Sequence, residues 1–320
     1  MANYKDIHGV NIETVTSNPD NPANGQVWYN STDKVLRGAV ITPEAVASGG
    51  NYPQSLYQAG SAGVQTAAIG FGGRPGPTRT TGSYSYNGSS WTNTPSLNQG
   101  RSIFQSSFGT STSAIGANGQ ASPPVSPVFS DRVEEFNGSA WTEEASTNTL
   151  RRNMGGIGAT GTSGLLAGGL NPSASAVANT ETWNGSSWTE VNDLNNASTH
   201  QLGAGTVTAG IVTTAKMESW NGSSWTELTD PPIEMGAGGG QITAIIAVGG
   251  PSAPTSIYKY NGSAWAQSPA SFSVGHPSGS YAGNTGTAAI AFTGAPSPSY
   301  TNSTEHFNLE ETATRTFTVS

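Results

Sequence analysis

The chain has 320 residues, which is enough for one large all-β domain or for two ordinary domains. Asp, Glu, Lys and Arg together make up only 10% of the residues, whereas 34% are hydrophobic and eight residues are Trp. A formal charge of −8 and a pI near 4.9 argue against nucleic acid as a partner, because phosphate binding depends on clustered Lys and Arg.

The sequence also argues against membrane insertion and against thiol chemistry. No run of about 18 apolar residues is present to span a bilayer. The first residues, MANYKDIHGVNIETV, contain no apolar signal-peptide core, so we expect synthesis in a cytoplasm without Sec export. The chain has no Cys, which excludes disulfides and thiolate metal sites.

A short motif recurs along the chain: an aromatic residue, then Asn-Gly-Ser, then Ser or Ala, then Trp. A sixth, degenerate copy begins at Phe307-Asn308, where Leu309 replaces Gly and Phe317 stands in for Trp. Successive Asn residues are 37 to 50 positions apart, about the length of one four-stranded propeller blade. The five full copies contain Asn87, Gly88 and Trp91; Asn137, Gly138 and Trp141; Asn184, Gly185 and Trp188; Asn221, Gly222 and Trp225; and Asn261, Gly262 and Trp265.

Each copy predicts a hairpin tip, because Asn-Gly tolerates the positive φ angles of a type I′ turn. A two-residue turn would place Glu181 opposite Trp188, and a four-residue loop would place Trp183 there. The aromatic residue and the Trp share a face in either register, and we expect that face to pack between neighbouring blades. A polar or amphipathic residue also recurs two positions before the aromatic residue, at Tyr84, Glu134, Glu181, Glu218, Tyr258 and Glu305.

A second signature lies upstream of most hairpins, an apolar strand that ends in Gly-Gly or Gly-Ala. It occurs at residues 66–73, 163–169, 243–250 and 287–295, and we interpret these segments as the second strands of blades. Glycine-rich segments before them, such as residues 203–210, predict innermost strands, where converging blades leave little space.

These residues resemble the kelch family, in which a Gly-Gly pair closes the second strand, an aromatic residue precedes Asn, a Trp follows, and an Arg can stand near the start of the next blade. Arg101 and Arg151 or Arg152 fit that last position. The resemblance implies an all-β, six-bladed kelch-like β-propeller over residues 41–320, and it says little about activity. Residues 26–40 could instead add half a blade to a seven-bladed ring, and either this hairpin or the terminal TRTFTVS could clasp the ring.

The first forty residues lie outside the repeats. Residues 17–38, SNPDNPANGQVWYNSTDKVLRG, resemble the N-terminal leader of tail fibres and other virion proteins of tailed bacteriophages, particularly those of marine bacteria and cyanobacteria. The resemblance implies a non-enzymatic structural or adhesive virion protein, assembled in the host cytoplasm, in which residues 1–40 attach to other virion proteins. The alternative is a kelch-like carbohydrate-binding or protein-interaction module outside a virion, with a glycosidase less favoured.

We predict no catalytic, cofactor-binding or metal-binding residue. Gly156-Ile-Gly158-Ala-Thr-Gly161 matches a dinucleotide-binding pattern, but no segment with helical periodicity follows it. Adjacent acidic residues such as Glu134-Glu135 point to opposite faces of a strand, so they cannot form a glycosidase pair. The four His residues have no metal-ligand spacing.

Contact with a host surface glycan, a receptor or a neighbouring protein is predicted on the face opposite the Asn-Gly tips. The loops between second and third strands emerge there and vary in length. The two longest, residues 73–82 and 118–131, are rich in Pro and therefore partly ordered before binding. Their candidate contact residues are Arg74, Arg79, Pro123, Pro124 and Pro127.

Overall fold

The computed structural model describes residues 12–103, 105–122, 129–199, 202–283, 285–295 and 299–317. In these ranges the secondary structure consists of strands, with no helix. The chain forms two compact units, one of residues Val46–Asn308 and one of residues Met1–Ala45 with Leu309–Ser320.

The strands form six four-stranded blades and one terminal sheet. The first four strands are β1 (Glu13–Val15), β2 (Val27–Asn30), β3 (Val35–Thr42) and β4 (Ala45–Ser48). Blade 1 comprises β5 (Gly60–Val64), β6 (Ala67–Phe71), β7 (Ser83–Tyr86) and β8 (Trp91–Asn93). Strand β9 (Arg101–Ser102) then precedes blade 2, which comprises β10 (Ser107–Thr110), β11 (Ser113–Ala117), β13 (Val133–Phe136) and β14 (Trp141–Glu144), while β12 (Gln120–Ala121) pairs with β9.

The remaining blades follow the same order. Blade 3 comprises β15 (Gly155–Thr160), β16 (Ser163–Ala167), β17 (Thr180–Trp183) and β18 (Trp188–Val191). Blade 4 comprises β19 (Leu202–Thr206), β20 (Ala209–Thr213), β21 (Met217–Trp220) and β22 (Trp225–Glu227). Blade 5 comprises β23 (Met235–Gln241), β24 (Ala244–Gly249), β25 (Ser256–Tyr260) and β26 (Trp265–Ser271). Blade 6 comprises β27 (Ser280–Ala282), β28 (Ala288–Phe292), β29 (Thr304–Asn308) and the early strand β4, which is its outer strand. The last strand of the chain is β30 (Glu311–Phe317).

The first strand of each blade lies beside the first strand of the next, in the order β5, β10, β15, β19, β23 and β27. Strand β27 in turn lies beside β5, and the Ser61 hydroxyl donates to the Tyr281 carbonyl at 2.7 Å. The protein is therefore an all-β six-bladed propeller, as predicted, and the seven-bladed alternative is wrong.

The outer strand of blade 6 was predicted incorrectly. Ala45–Ser48 supply it and complete the sheet beside β29. Neither the 26–40 hairpin nor residues 314–317, the described part of TRTFTVS, do so. Phe317 does not take the place of Trp, because β30 pairs with β3. Leu309 follows Asn308 where the other copies have Gly, so the sixth copy lacks the turn that would return the chain along β29.

The terminal sheet has the order β1, β2, β3, β30, with β1 parallel to β2 and the other pairs antiparallel. The Asn18 side-chain oxygen accepts hydrogen bonds from Trp28 Nε1 at 3.2 Å and from the Arg37 guanidinium at 2.7 Å. The two compact units divide after residue 45, whereas the sequence analysis set the start of the propeller at residue 41. Residues 309–317 belong to the unit that contains this sheet.

The propeller core lies between successive blades. One cluster combines Ile69 and Phe71 of blade 1 with Phe136 and Trp141 of blade 2, and equivalent clusters join blades 2 to 3, 3 to 4, 4 to 5 and 6 to 1. This confirms that the aromatic face of each hairpin packs between blades. The second-strand assignments are also correct. Residues 203–210, however, contain most of the inner strand β19, a turn and the start of β20 rather than one strand.

Candidate functional site

The five Asn-Gly turns are four-residue loops. Trp183 pairs with Trp188 across the loop, and the other four copies have the same register. The Asn184 side-chain oxygen accepts hydrogen bonds from the backbone N–H groups of Ser186 and Ser187 at 3.0 and 2.9 Å. Only the glycine of each turn has a positive φ, 92° to 96°. The prediction of a type I′ turn is therefore wrong. The Asn does not adopt a positive φ angle; its side-chain oxygen accepts hydrogen bonds within the loop instead.

The five tips lie on one side of the propeller. A Cβ atom on Gly88 would meet Thr66 of the β5–β6 turn at 3.5 Å, and each of the other tip glycines lies against the corresponding turn of its own blade. We call this side the tip face. The connections between second and third strands, and those between blades, lie on the opposite side, which we call the loop face, because successive strands are antiparallel.

The motif Trp residues link each blade to the one before it. Trp225 is 6% exposed, and its indole N–H donates to the Thr180 hydroxyl in blade 3 at 3.1 Å. The Trp141 indole likewise reaches the Ser83 hydroxyl in blade 1 at 3.3 Å. In blade 5 the Trp265 nitrogen has no acceptor among the described residues, since Met217 occupies the first position of β21, where blade 3 has Thr180.

The recurrent acidic residues before the motif aromatic are buried and structural. Glu181 is fully buried, and it accepts hydrogen bonds from the Asn148 and Thr149 backbone N–H groups at 2.6 and 3.2 Å. Those donors belong to the connection from blade 2 to blade 3. The carboxylate therefore holds the incoming connection against its own blade, and Glu134, Glu218 and Glu305 do the same in blades 2, 4 and 6.

Two of these carboxylates are paired with buried arginines. Arg101 contacts Glu134 at 2.8 Å and Arg151 contacts Glu181 at 2.7 Å, and all four side chains are fully buried. Burial lowers the pKa of both guanidinium groups, and the adjacent carboxylate opposes that effect. The kelch-like Arg position thus carries an ion pair between a connection and a blade, which the sequence pattern did not predict.

His276 takes the place of the arginine in blade 6. Its Nδ1 faces the Thr293 carbonyl at 2.6 Å and its Nε2 faces Glu305 at 3.1 Å. Burial alone would raise the pKa of Glu305, but hydrogen bonds from His276, Ser273 and Val274 lower it to about 2. Within the described ranges no group of three or more His, Asp or Glu side chains could hold a metal ion.

The propeller axis holds a narrow, glycine-rich channel. Residues of all six inner strands line it, among them Gly109, Gly158, Gly205 and Gly239. Its free volume is about 40 Å³, which is room for a few water molecules. Glycine is required there because a Cβ on Gly158 would lie 2.6 Å from the Phe108 ring. The dinucleotide-like pattern of residues 156–161 begins in this inner strand, as predicted.

Both predicted contact arginines lie on the loop face and are half-buried. Arg74 Nε donates to the Gly76 carbonyl at 2.8 Å, and its guanidinium lies 5.6 Å from the centre of the Tyr57 ring. Arg79 donates to the Gln120 side-chain oxygen at 3.2 Å. The predicted residues Pro123, Pro124 and Pro127 lie outside the described residues.

Three further residues belong to the same patch of the loop face and were not predicted, namely Tyr57, Arg152 and Tyr300. Tyr57 stacks on Tyr300 with ring centroids 4.8 Å apart. The Arg152 guanidinium lies 5.1 Å from the centre of the Phe129 ring. Sequence signals for them are weak, because Tyr57 and Tyr300 fall outside the repeat and Arg152 competes with Arg151 for one kelch-like position.

No family model matches the chain, and no curated protein sequence matches it. Nor does any helix in the described part of the chain have the length and apolarity to cross a membrane.

Proposed function

We propose that the protein is a non-enzymatic structural and adhesive component of a tailed-phage virion. The terminal sheet attaches it to other virion proteins, and the propeller presents its loop face to a host surface glycan or receptor. The leader-like residues 17–38 support this proposal, together with the separation of the terminal sheet from the propeller as a compact unit.

The observation that carries the attachment role is an exposed apolar face on the terminal sheet. Tyr29 pairs with Leu36, and Leu36 pairs with Phe317, so the three side chains stand side by side on one face. Val40 shares that face by alternation along β3. Tyr29, Val40 and Phe317 are 36%, 40% and 50% exposed.

Exposed apolar side chains in a row are typical of a surface that another protein covers. Of the six large exposed apolar residues in the described chain, four belong to the terminal unit: Ile12, Tyr29, Val40 and Phe317. We assign the occupant of this apolar face as a neighbouring virion protein, because the face belongs to the unit whose sequence resembles virion leaders.

Mass spectrometry of particles purified by density gradient from the source of this sequence tests the proposal. Peptides of the chain are expected in the particle fraction at a constant ratio to the major capsid protein across the gradient. A chain found only in the soluble fraction of the lysate contradicts the proposal, and it favours an interaction module outside a virion.

A further inference from the structure

Three arginine side chains without a carboxylate partner lie together on the loop face. Arg74 and Arg79 belong to the connection between β6 and β7, and Arg152 belongs to the connection between blades 2 and 3. The ion pairs formed by the described residues include none of the three. On a chain of formal charge −8, these groups create a local positive potential that acts within about one Debye length, roughly 8 Å at physiological salt.

Neutral groups hold the three guanidinium groups in place. Arg79 donates to the Pro77 carbonyl at 3.1 Å and to the Gln120 side chain at 3.2 Å. Arg74 and Arg152 lie over the rings of Tyr57 and Phe129. These contacts orient the side chains but do not neutralise their positive charges. Each guanidinium group therefore still has N–H groups that can donate hydrogen bonds to an anion.

The three charges are close enough to affect one another. Burial lowers the pKa of Arg79, and the charges of Arg74 and Arg152 lower it further. The buried Nε atoms of Arg79 and Arg152 also have no acceptor among the described residues. Like charges in one place raise the energy of the free protein, and an anion bound to the outer guanidinium nitrogens relieves that cost.

Two stacked tyrosine rings border the arginines. Tyr57 and Tyr300 are inclined by 27°, and Tyr300 is 38% exposed. An exposed ring with a hydroxyl group offers an apolar surface and a polar edge together. The apolar face of a sugar ring can pack on such a surface while its polar substituents reach neighbouring donors.

We propose that Tyr57, Arg74, Arg79, Arg152 and Tyr300 form a binding site for an anionic carbohydrate. Carboxylate or sulfate groups of the glycan contact the three guanidinium groups, and one sugar ring packs against Tyr300. This inference names the ligand class for the adhesive part of the proposed function, and it rests on that function for its biological role.

Binding of purified full-length protein to defined polymers tests the site. The probes are polygalacturonate, dextran sulfate, uncharged dextran and a single-stranded DNA oligonucleotide, each measured by calorimetry at about 0.15 M salt. We expect polygalacturonate, dextran sulfate or both to bind at least about tenfold more tightly than uncharged dextran and DNA. The difference between the first two probes identifies the anionic group.

Three variants connect the binding to the site. Arg79→Gln/Arg152→Gln is expected to weaken polysaccharide binding about tenfold or more, and Tyr300→Ala is expected to weaken it too. Arg315→Gln in β30 removes a charge from the terminal sheet and should leave binding unchanged. If the double variant melts below the wild type, Arg74→Gln replaces it in the comparison.

The inference is overturned if neither anionic polysaccharide binds, if uncharged dextran or DNA binds as tightly, or if Arg315→Gln weakens binding as much as the double variant. Protein that is present in virions and binds none of the probes counts against this inference alone. Protein that binds through these arginines and is absent from virions counts against the proposed function alone.

Discussion

Single residues of the repeat have separate structural roles that the sequence revealed unequally. The Trp was identified as a packing residue because it recurs at a fixed distance from an aromatic residue on the same face. The buried ion pair between Arg151 and Glu181 was not identified, because its two members lie in a connection and a strand 30 residues apart. Nothing in the local pattern states that the two side chains meet.

Replacing a motif Trp should show that it stabilises the joint between blades. We expect Trp225→Ala to lower the free energy of unfolding by about 3 to 5 kcal/mol, because it empties a large core site. Trp225→Phe keeps an aromatic ring and loses the hydrogen bond to Thr180, so its cost should be smaller. Urea unfolding monitored by far-UV circular dichroism measures both changes.

Thr180→Val serves as the matched control, because it removes the acceptor and keeps the indole in place. A Trp225→Ala variant that unfolds like the wild type and loses binding to a surface ligand would reverse our interpretation. The ring would then be an exposed binding platform.

Secondary-structure elements were predicted well where a repeat sets them and poorly where it does not. The second strands and the hairpins follow from period-two patterns and Asn-Gly turns. Strand β4 has only four residues, Ala-Val-Ala-Ser, and it pairs with β29 more than 250 positions later in the chain. Such a short strand has no local signal that specifies a distant partner.

A proline in β4 should test its role as the outer strand of blade 6. The Gly49 N–H donates to the Thr304 carbonyl at 2.8 Å, and by alternation the N–H of Ala47 points toward β29 as well. We expect Ala47→Pro to lower the melting temperature, because it removes a hydrogen bond between strands. Ser48→Pro, whose N–H points away from β29, should lower it less. Equal melting temperatures for the two variants would show that β4 does not hold blade 6 through these bonds.

Blade 6 should also lose stability in acid. The folded-state pKa of Glu305 is about 2, below the value of about 4.3 expected in an unfolded chain. A carboxylate whose pKa is lower in the folded state than in the unfolded state stabilises the protein at pH values above the unfolded-state pKa. This stabilisation disappears as the pH falls from about 4.5 to about 2. The free energy of unfolding should therefore fall across that range, and the slope should be smaller in Glu305→Gln. An unchanged slope in that variant would mean that other carboxylates cause the acid sensitivity.

At the scale of the whole molecule, counting repeats predicted the number of blades correctly but not the placement of the chain ends. Five full motifs and one degenerate copy correspond to six blades, whereas the last strand joins β3 in the terminal sheet. The proposed loop-face site contains only two residues that the sequence analysis named. Arg74 and Arg79 were found in a long Pro-rich loop, but Tyr57, Arg152 and Tyr300 come from three other segments. Only the closed ring brings these segments together.

Incorporation of surface variants into virions tests the central claim most directly, namely that the terminal sheet attaches the protein to the particle. The measurement is the number of chains per particle, obtained by quantitative mass spectrometry. Tyr29→Ser/Phe317→Ser removes two exposed side chains from the apolar face, and Ile242→Ser removes an exposed apolar side chain from the β23–β24 turn of the propeller. The wild type and both variants should have similar melting temperatures, because substitutions of exposed residues rarely change the free energy of unfolding by more than about 0.5 kcal/mol. We predict that the double variant incorporates about tenfold fewer chains per particle than the wild type and that Ile242→Ser incorporates as many. The same number of chains per particle for both variants, whether equal to the wild type or lower, would contradict the account.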